Sequence, residues 1–254
     1  MLLRKGLFSY FCGMLHRSRA IVLYLFSYND KYSLAHIYTE AFGLVVYMVS
    51  KSRSKRTKVP RSLFYSLSIL DLEVEHVNRR DVHKIKEARS LLPSLEILEN
   101  PYKNAMSMFL SEFLGKVLKD VQSNKYLFLY LYHSIQVLDS AQEGLANFHL
   151  VFMLRLSHFL GFEPDVSTYR AGYFFDLKDG IFVSDKPLHP SFIDPKSSEV
   201  FLLLLRMNYD NMHLYHFSRL ERVQIIDQVL LYYRLHLTDF SALKSLSVLQ
   251  DVFA

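Results

Sequence analysis

A cluster of basic residues in the front third of the chain has the chemistry of an anion-binding site. Residues 50–61 read SKSRSKRTKVPR and contain six basic side chains and no acidic one. The six are Lys51, Arg53, Lys55, Arg56, Lys58 and Arg61. A lysine or arginine that contacts a phosphate releases condensed counterions, and a guanidinium group adds bidentate hydrogen bonds. Taken alone, the segment fits two interpretations equally well: a solvated loop, or a contact site for a polyanion.

The charge balance along the chain favours the polyanion. Residues 14–90 carry 14 lysines and arginines against 7 acidic residues, whereas residues 91–254 carry 14 against 18. The formal net charge of +5 therefore hides a basic front and a mildly acidic back. A basic region of this kind attracts nucleic acid. Arg79, Arg80, Lys84 and Lys86 are candidates to extend the basic track, although a plain surface explains them equally well.

Several tyrosines near the basic segment are candidates for stacking on unpaired bases. They are Tyr24, Tyr28, Tyr32, Tyr38 and Tyr47. Stacking of this kind contributes ~1–3 kcal/mol per base. Aromatic side chains on the strands of a small barrel more often belong to its core, so each tyrosine is a weaker candidate than the basic segment.

A row of carboxylates offers the main alternative chemistry. Asp71, Glu73 and Glu75 alternate along a predicted strand and so point to one side, as in a metal-dependent nuclease. No lysine follows two residues beyond the triplet, where a nuclease-like motif would have one. A solvated strand face explains the same pattern with fewer assumptions.

The histidines and glycines give no further sign of catalysis. His149, His158, His213 and His216 have no carboxylates in phase with them, which favours core or surface histidines over metal ligands. The sequence contains no glycine-rich phosphate loop, so ATP use is not indicated. We therefore predict a protein that is not an enzyme and has no metal site, no cofactor and no small-molecule substrate.

The composition points to a reducing compartment. The single cysteine, Cys12, rules out an intramolecular disulfide and a thiolate zinc cluster, and it fits a cytoplasmic protein. The longest apolar runs, 126–132 and 200–205, are far shorter than the ~20 residues of a transmembrane helix. Residues 1–13 begin like a signal peptide, but basic residues follow at once, so we predict an extension outside the fold.

The front of the chain has the period of β-strands. Apolar runs and alternation predict strands at RAIVLYLF (19–26), YSLAHIYT (32–39), LVVYMV (44–49), SLFYSLSILDLEVEHV (62–77) and KIKEARSL (84–91). The alternation in the fourth run shifts phase by one residue after Ile69, which is typical of a β-bulge. Five strands in about 80 residues, one of them long and bent, predict a small closed barrel of the OB type.

From residue 96 the apolar period becomes helical. Helices are predicted in segments that open at Pro101, at 125–141, at 145–162, at 197–208 and at 219–237, followed by a short amphipathic tail. Residues 163–196 are irregular, with a hairpin predicted around Lys178-Asp179-Gly180. The apolar runs at 126–132 and 228–237 also fit a membrane surface, but the core of a helical bundle fits them better.

With these elements in place, the chain resembles the RecO family of recombinational DNA-repair mediators. The opening RAIVLYLFSYNDKYSLAHIYTEAFG (19–43) resembles the strand–turn–strand start of the family. Residues 52–56, SRSKR, are similar to its G-x-R-S-K-R loop, with Ser50 or Ser52 where a glycine is usual. The segments 112–118 and 148–162 resemble its E-L-L-x-x-L-L and F-x-L-x-L-L-x-x-L-G-x helices.

The resemblance implies an N-terminal OB domain and a helical domain. It also implies binding of single- and double-stranded DNA, annealing of complementary strands and, together with RecR, loading of the RecA recombinase onto DNA coated with single-strand-binding protein. The acidic, hydrophobic tail of single-strand-binding protein needs an apolar groove rimmed by basic residues, and the helix around Lys116, Lys119 and Lys125 is one of several candidates. Many family members carry a four-cysteine zinc cluster after the L-G-F helix, but residues 163–196 contain no cysteine. We expect the hairpin and Phe174, Phe175 and Phe182 to hold this segment instead.

The sequence thus predicts an α+β protein with an N-terminal five-stranded OB-fold barrel and a mainly α-helical domain. The domains are expected at 14–95 and 96–254, with the irregular insert around 163–196. The expected function is that of a cytoplasmic, nucleoid-associated DNA-repair mediator that contacts DNA through the six basic residues of the segment together with Arg79, Arg80 and Lys84. Two alternatives stay open: a generic OB-fold nucleic-acid-binding module and a carboxylate-dependent nuclease.

Overall fold

The N-terminal part of the fold is a five-stranded β-barrel. The computed structural model describes residues 15–52, 54, 57–77, 80–93 and 95–253, so the predicted extension 1–13 lies outside the described residues. The strands are β1 (Leu15–Ser27), β2 (Tyr32–Thr39), β3 (Gly43–Ser50), β4 (Ile69–Glu75) and β5 (Val82–Leu92). They close in the order β1-β2-β3-β5-β4, with β3 and β5 parallel and the other neighbours antiparallel. The predicted α+β class and OB barrel are confirmed.

The alternation of the sequence decides which side chains enter the barrel. On β3, Val45, Tyr47 and Val49 are buried inside it, and the residues between them face outward. On β1 a bulge between Val22 and Tyr24 interrupts the alternation. Leu23 and Tyr24 therefore both face the helices, whereas a regular strand would turn them to opposite sides.

The predicted long strand 62–77 extends too far by seven residues at its start and by two at its end. Residues Arg61–Leu63 form a 3-10 turn, and Leu67 has a left-handed backbone with a φ of 62°. The strand begins only at Ile69, where its pairing with β5 shifts register as the predicted bulge requires. The shift follows from packing, because Leu67 and Ile69 face the helices whereas Leu70, Leu72 and Val74 face the barrel interior.

Seven α-helices follow in the described residues. They are α1 (Leu95–Glu99), α2 (Pro101–Val117), α3 (Lys125–Ser140), α4 (Leu145–Leu160), α5 (Pro195–Arg206), α6 (Arg219–His236) and α7 (Ser245–Val252). Local caps fix where they begin. The side chain of Asn100 accepts hydrogen bonds from the first turn of α2, Asn124 does so for α3, and Ser218 and Glu221 form a capping box on α6.

The irregular insert is built around aromatic rings. A three-stranded sheet of β6 (Phe174–Asp176), β7 (Ile181–Val183) and β8 (Phe192–Ile193) includes the predicted hairpin. The Phe175 ring is buried, with its centroid 4.8 Å from that of Phe182 and 4.6 Å from that of Phe201 on α5. As expected, the hairpin and its aromatic side chains hold this segment against the helices.

The outer side of the barrel and the helices share a hydrophobic core, which is separate from the core inside the barrel. Ile21, Leu23 and Tyr38, on the outer side of the barrel, are fully buried among side chains of α2, α3 and α4. Arg19 lies at this junction between the barrel and the helices. Its guanidinium group donates hydrogen bonds of 2.8 and 2.7 Å to the two carboxylate oxygens of Glu40 and lies 5.3 Å from the ring centroid of Phe128. The proposed division into domains at residue 95 stays a prediction.

Candidate nucleic-acid interface

The basic segment starts from a fixed point on the barrel. The Lys51 backbone N–H donates a hydrogen bond of 2.9 Å to the carbonyl of Lys31, and its ammonium group donates one of 2.6 Å to Ser27 Oγ. Both partners belong to the β1–β2 hairpin, so the segment leaves the barrel beside the tip of this hairpin. Arg53, Lys55 and Arg56 lie outside the described residues.

The far end of the basic segment is attached to β5. The carbonyl of Lys58 accepts a hydrogen bond of 2.9 Å from Ala88 N–H. The Lys58 ammonium group is 76% exposed and lies 3.5 Å from Glu87. Arg61 is exposed and has no ion pair among the described residues. An open cleft between these two attachments is lined by Lys51, Ser52, Ser54, Thr57, Pro60, Arg61 and Ser62.

The structure places the other predicted basic residues along β5. Val82 pairs with Val46, and Lys84 pairs with Met48. Lys84 is exposed, and its partner Met48 lies two residues before Ser50, where β3 ends. Arg80 lies beyond Val82 at the opposite end of the barrel, about 13 Å or more from the basic segment. Its guanidinium group lies 3.9 Å from Glu75. Arg79 is outside the described residues.

Two of the three carboxylates in the row form ion pairs. Asp71 accepts a hydrogen bond of 2.9 Å from Arg17 Nε, and Glu75 lies 2.9 Å from Lys86 Nζ. The hydrogen bond from Lys86 lowers the pKa of the Glu75 carboxyl group. Within the described part of the chain, no group of three or more His, Cys, Asp and Glu side chains is placed to hold a metal ion. The donor set thus gives the nuclease alternative no support.

Only two of the five candidate tyrosines present an exposed ring. Tyr38 and Tyr47 are fully buried, and Tyr24 is half-buried with its ring stacked on that of His36 at 4.5 Å. Tyr28 and Tyr32, at the tip of the β1–β2 hairpin, are 61% and 37% exposed. Phe26 is a third exposed ring on this hairpin, and its exposure was not predicted because it lies inside an apolar run typical of a core strand.

The four candidate histidines are scattered through the helical region. His149 on α4 is enclosed, and burial lowers its pKa to about 3. His158 lies 2.6 Å from Glu163, and His213 and His216 are exposed. These positions fit the interpretation as core and surface histidines.

The helix around Lys116 is less open than the sequence suggests. The Lys116 ammonium group donates hydrogen bonds of 2.7 Å to Ser241 Oγ and to the carbonyl of Ala242, and Lys119 lies 3.6 Å from Asp239. A different cleft, between α4, α6 and α7, combines apolar walls with basic side chains. It is lined by His149, Arg219, Arg222, Val223, Ile226, Leu249, Gln250 and Phe253.

Taken together, the strand order, the basic segment and the helices define a class of protein: an OB barrel with a basic rim, packed on a helical region. Two family models match this chain, Recombination protein O N terminal over residues 14–93 and Recombination protein O C terminal over residues 98–247. The chain belongs to the recombination protein O, or RecO, family.

Curated relatives align with almost the whole chain. The DNA repair protein RecO of Azobacteroides pseudotrichonymphae is 47% identical over 240 residues, which cover 94% of this chain and 100% of the relative. Its counterparts in Phocaeicola vulgatus and Porphyromonas gingivalis are 43% and 38% identical over 241 residues, covering 95% and 93% of this chain and 100% and 98% of those relatives.

Among the described residues, no helix is both long and apolar enough to cross a membrane.

Proposed function

We propose that this protein acts in DNA repair by binding single- and double-stranded DNA and annealing complementary strands. Together with RecR, it would help to load RecA onto DNA coated with single-strand-binding protein. The observation that carries the proposal is the basic segment 51–61, attached at both ends to an OB barrel in a chain that belongs to the RecO family. The relatives named DNA repair protein RecO support the same role.

The geometry suits a contact that does not read sequence. Lys51 lies beside the tip of the β1–β2 hairpin, Lys58 is exposed beside Glu87 of β5, and Lys84 is exposed farther along β5. Phosphate contacts of this kind give affinity that is independent of base sequence and falls steeply with salt. An annealing factor must accept any pair of complementary strands, so such contacts fit the proposed task.

The cleft between α4, α6 and α7 is our proposed contact for an acidic, hydrophobic peptide tail such as that of single-strand-binding protein. Its walls include Val223, Leu249 and Phe253, and Arg219 is exposed at its rim. Apolar side chains and a carboxylate of the tail would find complementary groups there. Substitution Arg219→Glu should abolish binding of a fluorescent acidic-tail peptide, whereas Lys119→Glu should preserve it.

The salt dependence of DNA binding tests the main proposal. A variant with Arg53, Lys55, Arg56 and Lys58 changed to Ala is compared with the unchanged protein on a single-stranded oligonucleotide. If the four side chains contact phosphates, the slope of log affinity against log salt should shrink by about 3, at roughly 0.7 per contact. Annealing of complementary strands, without magnesium or ATP, should fall in the same samples.

A matched variant separates a local contact from a general loss of charge. Lys178, Arg206, Arg234 and Lys244 are exposed basic residues of the helical region, and changing these four to Ala removes the same net charge. This variant should keep the salt slope of the unchanged protein. Equal slopes for all three proteins would contradict DNA contact by the basic segment.

A further inference from the structure

Three exposed aromatic rings lie at the tip of the β1–β2 hairpin. Phe26 pairs with Leu34 across the hairpin, and Tyr32 stands two residues before Leu34, so the Phe26 and Tyr32 side chains share the outer side of the barrel. Tyr28 follows Phe26 by two residues, and its N–H donates a hydrogen bond of 3.2 Å to the carbonyl of Tyr32. Phe26 is 44% exposed and Tyr28 is the most exposed of the three.

Exposure of these rings is specific to the hairpin tip. Further down the same side of the sheet, Ile21, Leu23 and Tyr38 are covered completely by helices. The cover ends near Tyr24, which packs against Gly115 of α2. The fold thus leaves the aromatic end of the hairpin in solvent although it buries the rest of the same side.

The exposed rings adjoin the basic segment. Tyr32 pairs with Ser50, the residue directly before Lys51, and the Lys51 ammonium group is bonded to Ser27 between Phe26 and Tyr28. Lys31, at the turn of the hairpin, is exposed as well. A ligand that spans this end of the barrel therefore meets both positive charge and exposed aromatic rings.

We propose that Phe26, Tyr28 and Tyr32 form a stacking platform for unpaired bases, so that this end of the barrel binds single strands in preference to duplex. The inference rests on the proposed DNA binding and adds the chemical basis of strand preference. Phosphates are present in both forms of DNA, so the lysines and arginines alone do not distinguish them strongly. Bases in a duplex stack on each other, whereas bases in a single strand are free to stack on protein rings.

Affinity of the full-length protein for a single-stranded oligothymidine and for a duplex of equal length tests the platform. The double variant Tyr28→Ala, Tyr32→Ala should bind the single strand at least ~10-fold more weakly, since each stacked base contributes roughly 5- to 150-fold. Duplex affinity should stay within about twofold, and the salt slope should not change because no charge is removed. Tyr28→Phe, Tyr32→Phe keeps both rings and should retain binding.

Tyr126 provides the matched control, since it is 74% exposed at the start of α3, away from the hairpin. Tyr126→Ala should leave both affinities unchanged. Unaltered single-strand affinity in the Tyr28, Tyr32 double variant would overturn the platform while leaving the proposed DNA binding intact. An equal loss of affinity for the single strand and for the duplex would overturn the proposal that these rings set the strand preference. If the unchanged protein bound neither form of DNA, the proposed function itself would fail.

Discussion

Arg17 and Arg19 lie two residues apart on β1 and face the same side of the barrel, but their surroundings differ. The Arg17 side chain is 70% exposed and contacts Asp71 in solvent. Arg19 is 37% exposed, binds both oxygens of Glu40 and has two aromatic rings beneath it, with centroids 5.3 and 5.7 Å away for Phe128 and Tyr132. The hydrogen bond from Arg19 lowers the pKa of Glu40. Of these two arginines, Arg19 is therefore the one that contacts α3.

Substitution of these two arginines should separate a junction contact from a surface ion pair. Arg19→Ala is expected to lower the free energy of unfolding by about 1–3 kcal/mol, because it removes a bidentate ion pair and two cation–π contacts. Arg17→Ala should cost at most about 1 kcal/mol, as exposed pairs do. Urea unfolding of both variants measures the difference, and equal costs would contradict the assignment.

His149 makes the stability of the protein sensitive to mild acid. Burial lowers its pKa to about 3, whereas an unfolded chain has a histidine pKa near 6.5. The unfolded state then binds more protons below pH 6.5, so the contribution of His149 to stability is complete above that pH and is lost as the pH falls toward 3. At pH 5 the loss should be about 2 kcal/mol.

A single substitution checks this pH dependence. His149→Leu removes the titrating group from a buried site, so the free energy of unfolding of the variant should fall less steeply between pH 6.5 and pH 5 than that of the unchanged protein. The value at pH 7.5 gives the packing cost of the substitution itself. Parallel pH profiles from urea unfolding would show that His149 does not titrate as its burial implies.

At the scale of the element, the bulge in β1 and a glycine in α2 depend on each other. The bulge turns Tyr24 toward the helices, and its ring packs so closely on Gly115 that a Cβ atom there would overlap the ring. His36 stacks on the Tyr24 ring and limits its movement. Glycine inside a helix usually costs about 1 kcal/mol relative to alanine, and here the close approach of a strand explains why it is present.

Gly115→Ala should therefore destabilise the protein, against the usual helical preference. We expect a net loss of about 1–2 kcal/mol in thermal or urea unfolding, since overpacking outweighs the gain in helix propensity. In a Tyr24→Ala background the overlap disappears, and the same substitution should stabilise by up to about 1 kcal/mol. A loss that is equal in both backgrounds would contradict contact with Tyr24 as its cause.

Most elements were predictable because their signals are local. Strand alternation and helical periodicity located β1, β2, β3, β5 and the five helices α2 to α6, and turn chemistry located the hairpin at Gly180. The errors occur where tertiary contacts decide. Leu67 leaves the strand pattern because it packs against the helices, and the short α1 is held by a hydrogen bond of 3.0 Å from Ile97 N–H to Asp139 on α3.

At the scale of the whole molecule, the candidate site was predictable only as a set of residue types. The basic composition of segment 51–61 marked it, but the register between β3 and β5 decides that Lys84 lies beside it and Arg80 at the other end. Likewise, tyrosine spacing did not reveal that Tyr38 and Tyr47 are enclosed whereas Tyr28 and Tyr32 are exposed. Exposure depends on where α2 and α3 cover the barrel, and that is a property of the assembled fold.

The shared core implies that the barrel and the helices unfold together. Leu72 is fully buried inside the barrel and belongs to a cluster that contains no helical residue. Leu72→Ala should cost about 2–5 kcal/mol through lost burial and the cavity it leaves. Ile21, Leu23 and Tyr38 belong to the same cluster as the helical core residues. Unfolding of the barrel should therefore expose that cluster to solvent and destabilise the helices as well.

Circular dichroism at 222 nm reports mainly on the helices and can therefore test this coupling. In Leu72→Ala the helical transition should move down by about 2–4 °C for each kcal/mol lost, in a single step as in the unchanged protein. Leu131→Ala creates a matched cavity in α3, and this variant should also unfold in a single transition. A helical signal that melts at the original temperature in Leu72→Ala would instead mean that the two regions are thermodynamically independent, with the junction at Arg19 too weak to couple them.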